Sequence, residues 1–462
     1  MTFKYFVFSA FLVLVLGAPS ARAAVFDAKS ATLENGMQVI LVENHRAPIV
    51  THMVWYRVGG ADEQPGISGL AHMFEHMMFK GSENVPPGEF SRRVRALGGR
   101  DNAFTSYDFT AYFQTVAAEH LATVMEMEAD RMRTLLLPPD EFLSERNVVI
   151  EERRQRTDND PQAAFFEQMR YLLFPHHPYR IPIIGWMNEI EQLTVEQARE
   201  FYERWYAPNN AILIVSGAVT MEELLPLAEQ YYGVLPRNPA LDEPRTRPDI
   251  ADFTGQLRLH KSDARIRQPF IAMMMRELSF RQDREGALAL QILGEILSGG
   301  PTTRLYRALA VEQEIASSAG LFVSNQAYDH GTAYFYVTPL PGTSLEDAEA
   351  ALREQLDLLL SEGITDEELS EAKERMQAAA VFARDSVRGP AMIIGRALTT
   401  GSTLEDVETW PERVAAITKE QVMDAARTHL NPDATPLSVT GYLTGQTEPE
   451  APATAAEEEP QE

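Results

Sequence analysis

Gly69-Leu-Ala-His-Met-Phe-Glu-His-Met-Met-Phe-Lys80 places His72, Glu75 and His76 in an H-x-x-E-H pattern. Residues four apart on a helix project from one face, so both imidazoles can grip one metal ion with the carboxylate beside it. Two histidines and a neighbouring glutamate are the working parts of zinc-assisted hydrolysis, here in the inverted order of the commoner zincin pattern. A motif this short also arises by chance, so its surroundings decide its meaning.

A catalytic zinc normally takes three protein ligands and leaves a fourth position open. The stretch Leu143-Ser-Glu-Arg-Asn-Val-Val-Ile-Glu-Glu-Arg-Arg154 is the candidate source of the third. Glu145 and Glu152 stand two turns apart on one predicted helix face, with Val148 and Val149 between them. Glu151 points about 100° away and reads as a solvent residue. On spacing alone a carboxylate of this face is a candidate ligand, and solvated surface charge is the competing reading.

A weak internal repeat organises the rest of the 462 residues. Leu193-Thr-Val-Glu-Gln197 opens a helical stretch that ends at Tyr206-Ala-Pro-Asn-Asn210, followed by Ala211-Ile-Leu-Ile-Val215 and Gly217. Ile417-Thr-Lys-Glu-Gln421 opens another, ending at Leu430-Asn-Pro-Asp433 and followed by Pro436-Leu-Ser-Val-Thr-Gly441. The shared order is N-cap Thr, helix, Pro-Asn breaker, strand, Gly. Strand candidates are 37–42, 49–56 and 109–115 in the first unit, and 268–275 and 332–337 in the second; helices fill stretches such as 121–136 and 345–360. This predicts an α+β fold of two homologous domains, residues 24–240 bearing the zinc motif and 241–443 without it, joined through the Pro-rich segment Pro236 to Pro248.

The ends read differently. Lys4, the apolar run from Tyr5 to Leu16 and Ala21-Arg22-Ala23 have the form of a cleavable signal peptide over residues 1–23, with a short membrane anchor as the competing reading. Residues 444–462 form an acidic, Pro- and Ala-rich tail expected to be disordered. The absence of cysteine excludes disulfides, Cys-based zinc sites and a lipidated N-terminal Cys, and for an exported chain it fits a bacterial periplasm. No later segment reaches membrane-spanning length. A net charge of −26 argues against nucleic acid or anionic membrane as partner.

Several stretches, in order, resemble the inverted-zincin peptidases of the pitrilysin and mitochondrial processing peptidase family. They are Gly59-Gly-Ala-Asp-Glu63, Gly66 through Gly81, Leu97-Gly-Gly, Asn102-Ala-Phe-Thr105, Glu145 through Glu152, Pro178 through Gly185, and Tyr206-Ala-Pro-Asn-Asn210. The resemblance covers almost the whole chain after residue 23 and implies a processing-peptidase-like fold and one Zn²⁺ per chain. It implies that His72, His76 and Glu152 hold the ion, that Glu145 supports them from behind, and that Glu75 is the general base. It also implies that Gly98 to Thr105 is an edge strand to which an extended peptide adds, with Asn102, Ala103 and Phe104 lining the cleft. Read without the family, Asn102-Ala-Phe-Thr105 is a turn entering a strand. His176 and His177 read as turn packing, and His45, His52 and His120 have no partner at ligand spacing.

The sequence departs from the family in one place. Active relatives carry an Arg and a Tyr seven residues apart in the second domain. Thr303-Arg-Leu-Tyr-Arg-Ala-Leu309 matches the approach to that stretch, but Ala310 stands where the Arg is expected and Ser317 where the Tyr is expected. The expectation is a periplasmic zinc endopeptidase subunit acting on peptides or unfolded polypeptides, paired with a related zinc-free chain that supplies the Arg and Tyr. The alternative is a non-catalytic scaffold or assembly subunit of the same fold, disfavoured because all four of His72, Glu75, His76 and Glu152 are present. A zinc hydrolase of small molecules is disfavoured by the edge-strand segment and the large second domain.

Overall fold

The computed structural model describes residues 24–250, 253–431 and 437–445. The expected signal peptide and residues 446–462 of the tail lie outside the described residues. Strands β1 (Lys29–Thr32), β2 (Gln38–Glu43), β3 (Ile49–Tyr56), β4 (Arg100–Thr105), β5 (Thr110–Ala117) and β6 (Ala211–Gly217) form a sheet in the order β1-β2-β6-β3-β5-β4. Strands β7 (Gly255–Ser262), β8 (Phe270–Leu278), β9 (Ala316–Ser324), β10 (His330–Pro339) and β11 (Leu437–Thr444) form a second, in the order β7-β11-β8-β10-β9. The closing strand β11 thus runs one residue past position 443.

The repeat read from the sequence is real at the level of topology. Thr194 and Thr418 each accept a backbone N–H from the Gln three residues on, whose side chain bonds back, so both helices start on the same capping box. Each helix then delivers a strand to the equivalent place. β6 runs parallel to β2 and antiparallel to β3, and β11 runs parallel to β7 and antiparallel to β8. With β1 as an extra edge, the two sheets share one strand order, and the α+β class of two similar domains holds.

The central strands are apolar without alternation because both faces of each sheet are covered. On one face of the first sheet Val39, Leu41, Val54 and Leu213 pack against helices α1 (Leu70–Met77), α2 (Glu89–Ala96), α3 (Leu121–Thr134) and α4 (Pro139–Arg153). The opposite face, with Ile40, Met53, Trp55, Ile212 and Ile214, is closed by Ala391, Ile394 and Ala397 of the helix Gly389–Thr399. A Cβ on Gly395 of that helix would lie 2.0 Å from the Trp55 ring, so only glycine lets the helix sit this close. The second sheet mirrors the exchange. Ala272, Met274, Val439 and Leu443 are covered by Phe165, Met169 and Leu173 of α5 (Pro161–Leu173), and Gly441 makes room for Phe165. Each sheet is therefore roofed by a helix from the other half of the chain.

The segment Pro236 to Pro248 does more than connect. Arg247, 3% exposed, bonds Asp62 at 3.0 Å, Asp108 at 2.5 Å and Asp329 at 2.9 Å, while Arg245 pairs with Asp62 through its Nε at 2.7 Å. Asp62 and Asp108 belong to the first half and Asp329 to the second, so the segment rivets the two together.

Candidate metal centre and its cleft

α1 begins at Gly69, whose φ of +86° is a left-handed conformation that favours glycine, and an added Cβ there would strike the Ile184 carbonyl oxygen at 2.5 Å. The buried Glu63 carboxylate accepts the N–H of Gly69 at 3.0 Å and of Ala71 at 2.7 Å, satisfying free donors at the positive end of the helix. Burial pushes the Glu63 carboxyl well above its ordinary value, against those two bonds. The helix entry is thus held between Glu63 and Ile184, and it fixes the pitch at which His72 and His76 emerge.

α4 lies beside α1 and supplies the carboxylates. Glu152 Oε2 stands 3.3 Å from His76 Nε2 and 3.8 Å from His72 Nε2. Ligand atoms of His72, His76 and Glu152 all fall within 4.8 Å of one another, the one such group of three among the described residues. Glu145 does not enter this group. Its Oε1 bonds His76 Nδ1 at 2.8 Å, on the far side of the ring, and its Oε2 pairs with Lys80 Nζ. The helical-face expectation needs one correction: Val149 is fully buried, but Val148 is 48% exposed, since a step of about 100° carries it off the face. Glu151 is exposed, as its angle predicted, and pairs with Arg154.

The electrostatics follow from these contacts. Burial, reinforced by the neighbouring His76, pushes the His72 ring down to about 4, so it is neutral with a lone pair available. Burial also opposes charge on His76, but hydrogen bonds to Glu145 and then Glu152 outweigh it and hold the ring up to about 9. The His76 bond, against some burial, draws the Glu152 carboxyl down, and Arg156 engages its other oxygen at 2.7 Å. Two imidazoles and one carboxylate converging from two helices are the donor set of a catalytic zinc, and the residues fit that ion. His72 Nδ1 is buried without a protein partner.

Glu75 sits outside the ligand group. Thr105 Oγ1 donates to its Oε2 at 2.6 Å, tying the carboxylate to the end of β4. Burial raises its pKa, with the Thr105 bond opposing. β4 is the outer strand of the first sheet and pairs with β5 alone, so its other edge is free of sheet partners. Asn102, Ala103, Phe104 and Thr105 line a cleft of 730 Å³ with His72, Glu75, His76 and Glu152. The structure therefore brings together every candidate site residue except Glu145, which stands behind His76. Sequence reasoning missed Thr105 as the anchor of Glu75, Lys80 as the counter-ion of Glu145, and Arg156 on Glu152. Lys80 lies in the turn that follows α1, and like Thr105 it is brought in only by the fold.

In the second half Ala310 lies in a helical turn, and Ser317 is the second residue of β9, with its Oγ bonded to the Gln268 amide at 2.9 Å and the Thr338 carbonyl at 3.1 Å. His52, bonded to Gln114 at 2.7 Å and Tyr232 at 2.9 Å, and His177, 3.3 Å from Asp329, are structural in this fold. No described helix is long and apolar enough to cross a membrane.

Comparison with known proteins places the chain in one class. The sequence signature described as Insulinase (Peptidase family M16) matches residues 38–185, and that described as Peptidase M16 inactive domain matches residues 192–376. The chain belongs to peptidase family M16. It is 32% identical over 375 residues to zinc protease PqqE of Helicobacter pylori, covering 80% of this chain and 83% of that one. An uncharacterized zinc protease of Streptomyces coelicolor is 24% identical over 86% of each chain. The crystal structure of a protease from Helicobacter pylori superposes with a TM-score of 0.82 at 27% identity, covering 90% of this chain and 99% of the other. The first half of the periplasmic protease PqqL from Escherichia coli shares the fold, with a TM-score of 0.75 at 22% identity over 90% and 92% of the two chains.

Proposed function

We propose that this chain is a zinc-dependent endopeptidase subunit that hydrolyses peptides or unfolded polypeptides. The observation that carries the reading is the convergence of His72, His76 and Glu152, with Glu75 beside them but outside the ligand group. His72, His76 and Glu152 would hold one Zn²⁺, and a bound ion supplies Lewis acidity, polarising a peptide carbonyl and acidifying a neighbouring water. Glu75, anchored by Thr105, takes the proton from the attacking water and returns it to the leaving amine nitrogen. Glu145 orients His76 through Nδ1 and strengthens it as a donor. An extended substrate adds along the free edge of β4, with Asn102, Ala103 and Phe104 contacting its side chains and main-chain bonds holding it without strong sequence preference.

The division into a catalytic domain at 24–240 and a zinc-free one at 241–443 is part of the same reading, as are export to the periplasm behind a signal peptide and pairing with a related chain. Ala310 and Ser317 offer no donor equivalent to an Arg and a Tyr, which supports a partner that carries them. Mixing this chain with such a partner should raise peptide cleavage well above that of the chain alone, and full activity from a homogeneous preparation of this chain refutes the heterodimer.

Metal analysis beside peptide cleavage tests the centre. Alanine at His72, His76 or Glu152 should drop bound zinc well below one per chain. Glu75→Gln should keep the zinc and lower turnover by at least about 10²-fold. Full zinc occupancy in Glu152→Ala, or retained turnover in Glu75→Gln, would sink the assignment.

A further inference from the structure

The second sheet carries an aromatic surface that runs out of the metal cleft. α5 lies over β7, β11 and β8, and of its residues Phe166 reaches toward β10. Phe166 lines the cleft, and its ring centroid stands 5.3 Å from Tyr334 on β10 and 5.8 Å from Phe270 on β8. Tyr334 lies opposite Phe322 on β9, with rings 5.4 Å apart, and Tyr336 follows on the same face. Phe322 is 53% exposed, and the rings between it and the cleft are half-buried. β9 is the outer strand of its sheet, and no described element covers this end of the face.

A row of half-open rings costs hydration free energy unless something covers it. Its continuity with the cleft at Phe166 indicates what does. The Ser317 hydroxyl is already engaged by Gln268 and Thr338, and what this face offers beside the cleft is apolar contact.

We infer that Phe166, Tyr334 and Phe322 form an apolar platform for the substrate polypeptide itself. The platform takes aromatic or branched aliphatic side chains that lie beyond the residues seated in the metal cleft. From Phe166 to Phe322 the rings span roughly 10 Å, the reach of about three extended residues. The platform therefore selects polypeptides with a second large apolar side chain about three residues from the one at Phe166, a spacing common in unfolded chains. This inference rests on the peptidase reading, since it names the substrate class of the same cleft.

The test is a binding measurement on zinc-loaded Glu75→Gln protein, in which a bound peptide stays uncut. Two fluorescein-labelled peptides, identical over the segment crossing the metal, carry either alternating Phe and Leu or alternating Ser and Thr in the outer half. Fluorescence anisotropy should show roughly tenfold tighter binding of the apolar peptide, the scale set by covering a half-exposed phenyl ring. Adding Phe322→Ser should remove that preference while leaving the polar peptide's affinity and the melting temperature unchanged, with Tyr334→Ser as a second probe. Equal affinity for the two peptides overturns the platform without any need of a variant, as does a preference that survives Phe322→Ser. If Phe322→Ser changes the mass of the assembly in solution and not the peptide preference, the rings are a subunit contact and the inference fails. Cleavage by the unsubstituted zinc-loaded protein separates the two readings. Cleavage without preference removes the platform alone, and preference without any cleavage, with or without the partner chain, removes the peptidase reading while the platform stands.

Discussion

Replacing Glu145 by Gln should weaken zinc binding by an amount that grows with pH. In the metal-free protein burial opposes charge on His76, but hydrogen bonds to Glu145 and Glu152 hold the ring protonated up to about 9. Zinc must displace that proton, which at pH 7 costs about two units, or roughly a hundredfold in apparent affinity. Glu145→Gln keeps the shape but removes the charge at 2.8 Å from Nδ1, so the His76 pKa falls toward its ordinary value and the proton competes less. The same change lowers the basicity of the ring as a ligand, which typically costs about 10–100-fold in metal affinity. Near neutral pH the two effects oppose, and above pH 9 only the second remains. Competition against a chelator, read as the ratio of native to variant affinity, cancels the chelator's own pH dependence. The ratio should be small at pH 7 and approach 10–100-fold above pH 9. A ratio that is flat or falls with pH would refute the assignment of Glu145 to the back of His76, and a complete loss of zinc would make it a ligand.

Four further outcomes follow from contacts described above. Thr105→Val removes the bond that opposes burial at Glu75, so the carboxyl rises further, and the acid limb of the kcat/KM profile should move to higher pH. Gly395→Val should destabilise the protein by about 1–3 kcal/mol through overpacking against Trp55, read as a shifted denaturation midpoint with cleft residues untouched. Arg247→Ala removes the one cation shared by Asp62, Asp108 and Asp329, leaving Asp108 without a paired charge, and should cost about 3–5 kcal/mol, seen as a lower melting temperature. A chain ending at residue 240 should bind an apolar dye strongly, because Ile40, Met53, Trp55, Ile212 and Ile214 lose their cover. Weak dye binding would mean that this face closes without the later helix.

How much of this was legible in the residues depended on range. Local signals carried far: the capping boxes at Thr194 and Thr418, the i,i+4 spacing of His72 and His76, and the seven-residue spacing of Glu145 and Glu152 each announced what the structure forms. The role of Glu152 over Glu145 was not in the spacing, which suits both, but in which oxygen meets Nε2 and which meets Nδ1 of one ring. The strands from 49 to 56 and from 211 to 215 read as apolar runs, yet nothing in them says that the second roof comes from residue 389 onward. The Pro-rich segment reads as a linker because proline content reports backbone stiffness, whereas the ion pairs of Arg245 and Arg247 depend on aspartates as far away as Asp329.

The exchanged helices also set an order of events. While the chain is being made, the first sheet can assemble its strands and its own helices once β6 has emerged, but one apolar face stays bare until Gly389–Thr399 arrives. The second sheet, in turn, waits on nothing but its own last strand, since α5 was made long before. Completion is therefore postponed to the final stretch of synthesis, and the first half cannot lock shut early. The half with the longer wait is the half that emerges first, so its bare face is what other chains or chaperones meet before synthesis ends.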